Sequence, residues 1–210
     1  MKATILLAED EQAMREVLTD YFTAKSGGDF TVVSAPDGDT ALHLIETRRF
    51  DLLLLDIMLP GTDGFALCRA AREQGDAPIL FVTAREDEQD KLHGYGLGAD
   101  DYVVKPFNPL ELTARVKSQL RRYTQLGNLN QQGSSQVYKC GGLMINDENK
   151  EVTVDGEPIK LTPIEYNILL LLVKNAGKVF SIDQIYEKIW NEDAIGADNT
   201  VAVHIRHIRE

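Results

Sequence analysis

From residue 4 to about residue 122, short apolar runs alternate with longer stretches in which apolar positions recur every three to four residues. The short runs are TILLA (4–8), FTVVSA (30–35), LLLLD (52–56), ILFVT (79–83) and YVVK (102–105). Between the first two, Met14, Val17, Leu18, Tyr21 and Phe22 fall at the i, i+3, i+4, i+7 and i+8 positions of one helical face. Strands that alternate with helices pair in parallel, and a central parallel strand, buried on both faces, reads as an unbroken apolar run. The leucines at 52–55 fit that description, so the pattern predicts an α/β domain built on five parallel strands with helices on both sides.

The pattern then changes. Residues 124–136, TQLGNLNQQGSSQ, carry no charge and read as a flexible linker between a domain at 1–123 and another at 137–210. Turn signals at Asp147 to Asn149 and at Asp155-Gly156 predict small antiparallel strands. Thr162-Pro163 opens a helix that Gly177 ends, Ser181 opens a second, and the loop NEDAIGAD leads into a third, NTVAVHIRHIRE. The second domain is therefore expected to be smaller and α+β.

Composition narrows the class. With 210 residues and 43% apolar content, the chain can fill a core in each of two domains. No apolar stretch approaches 18 residues, so a soluble, cytoplasmic protein without membrane contact is expected. Cys68 and Cys140 lack metal-ligand spacing and read as packed or free thiols. The net charge of −11 argues against a general polyanion binder but permits a local basic face that meets nucleic acid.

Candidate chemistry gathers where ligands gather in open α/β sheets, beyond the carboxyl ends of the strands. Glu9 and Asp10 follow strand 1, Asp56 ends strand 3, Thr83 ends strand 4 and Lys105 ends strand 5. Carboxylates that converge without partners repel, so raised pKa values or a bound cation are expected, and an incomplete oxygen cage suits Mg²⁺, which keeps waters and shares its shell with phosphate oxygens. Lys105 and Thr83 then supply a charge and a hydroxyl for a phosphoryl group carried by Asp56. Alone, each of these residues reads as a cap or as surface decoration. Together, at corresponding strand ends, they read as a site.

These motifs resemble the receiver domain of two-component response regulators: AED at 8–10, LLLLDIMLPGTDG at 52–64, FVTA at 81–84 and GADDYVVKPF at 98–107. The resemblance implies a doubly wound, flavodoxin-like fold in which Asp56 is the phosphoacceptor. It also implies that Glu9 and Asp10 help hold Mg²⁺, that Met58 offers its carbonyl to the metal, and that Tyr102 is a switch aromatic acting with Thr83. Glu9 stands where the family more often has Asp, and its longer side chain suggests a water-bridged contact. The implied partner is a sensor histidine kinase. Charge pattern alone makes Lys91, Asp100, Asp101, Glu111, Arg115 and Arg122 a solvated surface. Resemblance to the OmpR/PhoB subfamily instead implies pairing across a phosphorylation-dependent homodimer: Lys91 with Glu111, Asp101 with Arg115 and Asp100 with Arg122. Tyr95 stands where that family has an aliphatic contact residue.

The C-terminal segment resembles the winged helix-turn-helix effector of the same subfamily, through LTPIEYNILLLL, DQIYEKIW and NTVAVHIRHIR. In the third helix Val201, Ile205 and Ile208 are expected in the core. Asn199, Thr200, Val203, His204, Arg206, His207 and Arg209 are the expected contacts to double-stranded promoter DNA, with RNA polymerase as a possible further partner. Asn199 and His207 replace arginines typical of the family. The family's β-hairpin wing would follow this helix, so a C-terminally truncated domain lacking its wing is expected.

Two rivals differ in class. A phosphatase of the haloacid dehalogenase type needs a second carboxylate two residues after its nucleophile, where Met58 stands, so the chain is not expected to be an enzyme. A second domain that binds protein or RNA would be separated from a DNA binder by competition in a salt-dependent gel shift.

Overall fold

A computed structural model describes residues 2–25, 28–128, 137–190 and 198–210, without the side chains of 25, 122–128 and 198–199. It separates into two units, residues 1–121 and 122–210.

In the first unit the strands are β1 (Ala3–Ala8), β2 (Phe30–Ala35), β3 (Leu52–Leu55), β4 (Ile79–Thr83) and β5 (Asp101–Val104). They pair entirely in parallel in the order β2-β1-β3-β4-β5. The helices between them are α1 (Gln12–Asp20), with a π-helical turn at Tyr21–Lys25, α2 (Gly38–Thr47), α3 (Gly64–Gln74) and α4 (Glu88–Gly96). The last helix, α5, runs over Pro109–Asn128. Ile5, Leu7, Leu52, Leu54, Leu80, Val82 and Val103 form one core with Leu18 and Phe22 of the first helical segment and Leu112, Val116 and Leu120 of α5. Their strand neighbours Leu6, Leu53, Leu55 and Phe81, which alternation turns to the opposite face, are equally buried. All four leucines of the central strand are therefore core, as their pattern predicts.

Register places the site. Ala8 pairs with Leu55, so Glu9 and Asp56 leave the sheet at one level. Thr83 pairs with Val104, which puts Lys105 one step beyond. The loop after β3 is held by close backbone contacts: a Cβ on Gly64 would lie 2.2 Å from the Asp56 carbonyl oxygen, and one on Gly38 1.6 Å from that of Thr62. No other residue fits these two positions without moving the backbone that carries Asp56.

Two details depart from the sequence reading. The α5 helix continues through 124–128, the first part of the expected linker, because an established helix adds a bond for each residue it orders and meets no proline there. The remainder of that segment lies outside the described residues. The fifth strand begins at Asp101, one residue earlier than expected. Cys68 is buried and its thiol is pushed up to about 12 by burial, while Cys140 is exposed.

The second unit has a four-stranded antiparallel sheet, β6 (Val137–Cys140), β7 (Leu143–Asn146), β8 (Glu151–Val154) and β9 (Glu157–Ile159). Its β8–β9 turn is the predicted Asp155-Gly156, both residues at positive φ. The helices are α6 (Pro163–Lys174), α7 (Ile182–Trp190) and α8 (Asp198–Arg209). Thr162 and Glu165 form a reciprocal capping box at the start of α6. Val201 is buried with Ile164, Ile168, Ile185, Tyr186, Ile189 and Trp190, and Ile205 and Ile208 pack against that cluster, the stripe the sequence predicts. Among the described residues no helix is long and apolar enough to cross a membrane.

Asp100 corrects one expectation. It is 1% exposed, and its Oδ2 accepts from Arg72 at 2.7 Å and from the Ile79 N–H at 2.8 Å. A buried carboxylate has to be paired, and Arg72, which also donates to the Gly98 and Ala77 carbonyls, supplies that pairing within the chain. Asp100 is thus not a surface residue waiting for Arg122 of a second copy. Removing it leaves a nearly buried guanidinium uncompensated, so Asp100→Ala should cost about 3–5 kcal/mol of unfolding free energy in urea titration. A loss below 1 kcal/mol would contradict this pairing.

Candidate functional site

The loops that leave β1, β3 and β5 bring three carboxylates and one ammonium group together. Carboxylate oxygens of Glu9, Asp10 and Asp56 all lie within 4.8 Å of one another. Glu9 and Asp56 are buried, and Asp10 is exposed at the mouth. Lys105 Nζ sits 2.7 Å from Asp56 Oδ2 and 2.7 Å from Glu9 Oε2. The other Asp56 oxygen, Oδ1, accepts the Met58 N–H at 3.0 Å, which orients the carboxylate. Burial pushes Glu9 above the usual carboxylate range, and the Asp56 charge adds to that against the pull of Lys105. For Lys105 burial acts downward, but hydrogen bonds and attraction to Asp56 and Glu9 outweigh it, and the ammonium is held more firmly protonated than usual.

The expected switch pair meets at one backbone residue. Thr83 is fully buried and its Oγ1 accepts the Arg85 N–H at 3.4 Å, while the Tyr102 hydroxyl donates to the Arg85 carbonyl at 3.0 Å. Tyr102 packs near Phe81 and Tyr95, and Lys91 Nζ lies 5.9 Å from its ring centroid. Burial pushes the Tyr102 phenol well above its usual range, so it acts as a donor.

Of the expected dimer residues, Arg115 is bonded to Asp101 at 3.1 Å and to Glu111 at 3.1 Å within one chain. Asp100 is buried against Arg72, as described above, and the Arg122 side chain lies outside the described residues.

On α8, Arg206 and Arg209 are exposed together with Ala202, and Val203 is half-buried. Two of the expected DNA contacts need correction. His204 is 0% exposed, packed 6.0 Å from the Trp190 ring, and Thr200 is 7% exposed, so neither side chain faces outward. Both lie on the side of α8 that shares Val201, and the helix cannot turn them out without exposing that core. His207 stands at the border, its Nδ1 3.1 Å from Glu165 Oε1, and the Asn199 side chain lies outside the described residues.

Sequence reasoning missed several supporting residues. Arg15 Nη1 donates to the carbonyls of Glu9 at 2.7 Å and Asp10 at 3.0 Å, fixing the acidic pair's backbone. Its place in the first turns of a helix following AED was the available signal. Asp39 accepts from both the N–H and the hydroxyl of Thr62, steadying the loop after Asp56, and nothing local marked that contact. Glu165 was legible as a cap through T-x-x-E, but not as a partner of α8.

Comparison with known proteins agrees with this geometry. Residues 5–117 match the response regulator receiver domain, and residues 156–210 match the C-terminal domain of transcriptional regulatory proteins. The regulatory protein VanR of Enterococcus faecium is 38% identical over 211 residues, covering 100% of this chain and 90% of VanR. The response regulator DrrB of Thermotoga maritima, an OmpR/PhoB homologue, matches with a TM-score of 0.53 at 30% identity, over 100% of this chain and 88% of DrrB. The receiver domain of the Pseudomonas aeruginosa sensor histidine kinase PA1611, solved with magnesium coordinated in its active site cleft, matches with a TM-score of 0.52 at 28% identity, over 58% of this chain and 99% of that one. With a receiver sheet, a carboxylate pocket at its carboxyl edge and a regulatory C-terminal domain, the chain belongs to the OmpR/PhoB family of transcriptional response regulators.

Acid should loosen the second unit through Glu165. Burial pushes this carboxyl up, but the His204 imidazole, the Thr162 N–H and His207 together hold it at about 2, below its ordinary 4.5. A depressed folded value means stability that is complete above pH 4.5 and lost as pH falls toward 2, worth about 3 kcal/mol for a shift of this size. Glu165→Gln should flatten unfolding free energy against pH across that window. An unchanged slope in the variant would contradict the assignment.

Proposed function

We propose that Asp56 accepts a phosphoryl group from the phosphohistidine of a sensor kinase, and that this event controls dimerisation and promoter binding. The observation that carries the reading is the Glu9–Asp10–Asp56 oxygen cluster closed by Lys105. An incomplete cage of clustered carboxylate oxygens suits Mg²⁺, a hard cation that keeps waters and takes oxygen ligands. Glu9, Asp10, Asp56 and the Met58 carbonyl would hold it. When bound, Mg²⁺ supplies positive charge against which the phosphoryl oxygens can approach a carboxylate pocket.

An Asp56 carboxylate oxygen forms the new P–O bond as the P–N bond to the donor imidazole breaks. Lys105, protonated and already within 2.7 Å of Asp56, offers its charge to the transferred group, and Asp10 at the mouth leaves an approach from solvent. The Thr83 hydroxyl then turns toward the phosphoryl oxygens. Its loss as acceptor frees the Arg85 N–H, and with it the carbonyl that holds the Tyr102 hydroxyl. Tyr102, already buried, shifts toward the space that the Thr83 hydroxyl vacates, Lys91 leaves its ring, and the face carrying Lys91, Asp101, Glu111 and Arg115 becomes the two-fold contact. Only a difference in stability between the two conformations shifts the population. Arg206 and Arg209 of α8 are the proposed contacts to phosphates or guanine edges of promoter DNA, with RNA polymerase as a further partner.

Acetyl phosphate with Mg²⁺ should phosphorylate the chain once, at Asp56, and Asp56→Asn or removal of the metal should abolish the reaction. Mass spectrometry that locates the group elsewhere would overturn the assignment. Fluoroberyllate should produce a dimer in sedimentation. Arg115→Ala should weaken that dimer by no more than about thirtyfold, since a two-fold contact holds each pair twice and such pairs contribute about 0–1 kcal/mol each. An unchanged monomer in the parent chain would contradict the proposed coupling.

A further inference from the structure

Glu165 is shared between two helices. Its Oε2 accepts the Thr162 N–H at 2.8 Å and closes the α6 capping box, while Oε1 lies 3.1 Å from Nδ1 of His207 on α8. The carboxyl group is buried and held at about 2, so at neutral pH it is ionised and can only accept hydrogen bonds. Nδ1 must therefore be the donor. Whenever the ring carries a single proton, that proton is committed to Nδ1, and Nε2 is left as an acceptor.

That second nitrogen makes no hydrogen bond among the described residues, and the side chain keeps 28% exposure. His207 stands on α8 between the buried side of Val201 and His204 and the exposed side of Arg206 and Arg209. A carboxylate that fixes one imidazole nitrogen decides what the other can bind, as it does for histidines that ligate metals. In the major groove an acceptor finds only the exocyclic amino groups, adenine N6 and cytosine N4, whereas a donor finds guanine O6 and N7 or thymine O4.

We propose that Glu165 is a positioning residue that fixes the His207 tautomer, so that His207 presents an acceptor to the major groove and selects adenine or cytosine on the strand it faces. This inference rests on the reading of α8 as the DNA recognition helix. It makes His207 a determinant of sequence choice, through a residue that itself never reaches the DNA. An arginine at the same position can only donate and would favour guanine.

The test is selection of binding sites from a randomised duplex pool at pH 8, alkaline to the ordinary imidazole range, using the full chain and three variants. In Glu165→Gln the capping box survives, because glutamine serves at that position. Its oxygen takes the Thr162 N–H, its amino group faces Nδ1, and His207 must then carry its proton on Nε2. The parent chain should prefer adenine or cytosine at one position by about fivefold, the worth of one neutral hydrogen bond. Glu165→Gln should move that preference to guanine or thymine, and His207→Arg should move it to guanine. Ring ¹⁵N shifts of His207 should place the proton on Nδ1 in the parent and on Nε2 in Glu165→Gln. Identical base preferences in parent and Glu165→Gln, or a parent ring protonated at Nε2, would overturn the inference. The third variant, Arg206→Ala with Arg209→Ala, tests the reading beneath it. If its affinity for the selected duplex is unchanged, or if the parent selects no sequence, α8 is not the recognition helix and the inference falls with it.

Discussion

The receiver depends on one ammonium group placed between two buried carboxylates. At an effective dielectric of about 20, like charges within 4.8 Å repel by roughly 3 kcal/mol or more, and burial adds a desolvation cost to each. Lys105 offsets both, bonding Asp56 and Glu9 at 2.7 Å from the far end of β5. The strand order makes this possible: β1 and β3 are neighbours, so Glu9 and Asp56 converge, and the β5 loop reaches back across β4 to meet them. The same contact that makes the pocket tolerable to the fold also orients the Asp56 carboxylate. Fold stability and the geometry of the carboxylate pocket are here one electrostatic arrangement.

From that pocket, two routes lead to the face bearing α4, β5 and α5. One is short, through the Arg85 backbone that Thr83 and Tyr102 both hold. The other is a support: Arg72 ties the Gly98 carbonyl and Asp100 to α3, fixing the segment between α4 and β5. Arg72 therefore braces one side of this face, and the bonds at Arg85 hold the other. Arg115 of α5 bonds both Asp101 and Glu111 within its own chain.

The parallel sheet, the central leucine strand, the strand-end residues and the Thr162-Pro163 start of α6 were legible because each rests on local periodicity or on a short motif. Asp56, Thr83 and Lys105 could be placed from strand ends alone, since a parallel sheet sends all its strand ends to one edge. What escaped was decided by tertiary pairing. Asp100 carries the same charge as Asp101, one residue away, yet one is bonded to Arg72 and the other to Arg115, and only the packing of α3 and α5 separates them. His204 and Thr200 fell on the inner side of α8 because Val201 anchors the helix, and an angular offset of one residue on a helical wheel is enough to bury a residue expected outside. The linker reading failed in its first five residues, where a polar composition continued an existing helix.

The central claim is that filling the pocket around Asp56 releases Tyr102 from the Arg85 carbonyl. Its most direct measurement is the ¹⁹F NMR spectrum of the chain with fluorotyrosine at position 102, recorded with and without Mg²⁺ and fluoroberyllate. The account predicts that the Tyr102 resonance moves to a new environment only when both are present, and that it stays in place in Asp56→Asn. A resonance that is unmoved in the parent chain, or that moves equally in Asp56→Asn, would contradict it.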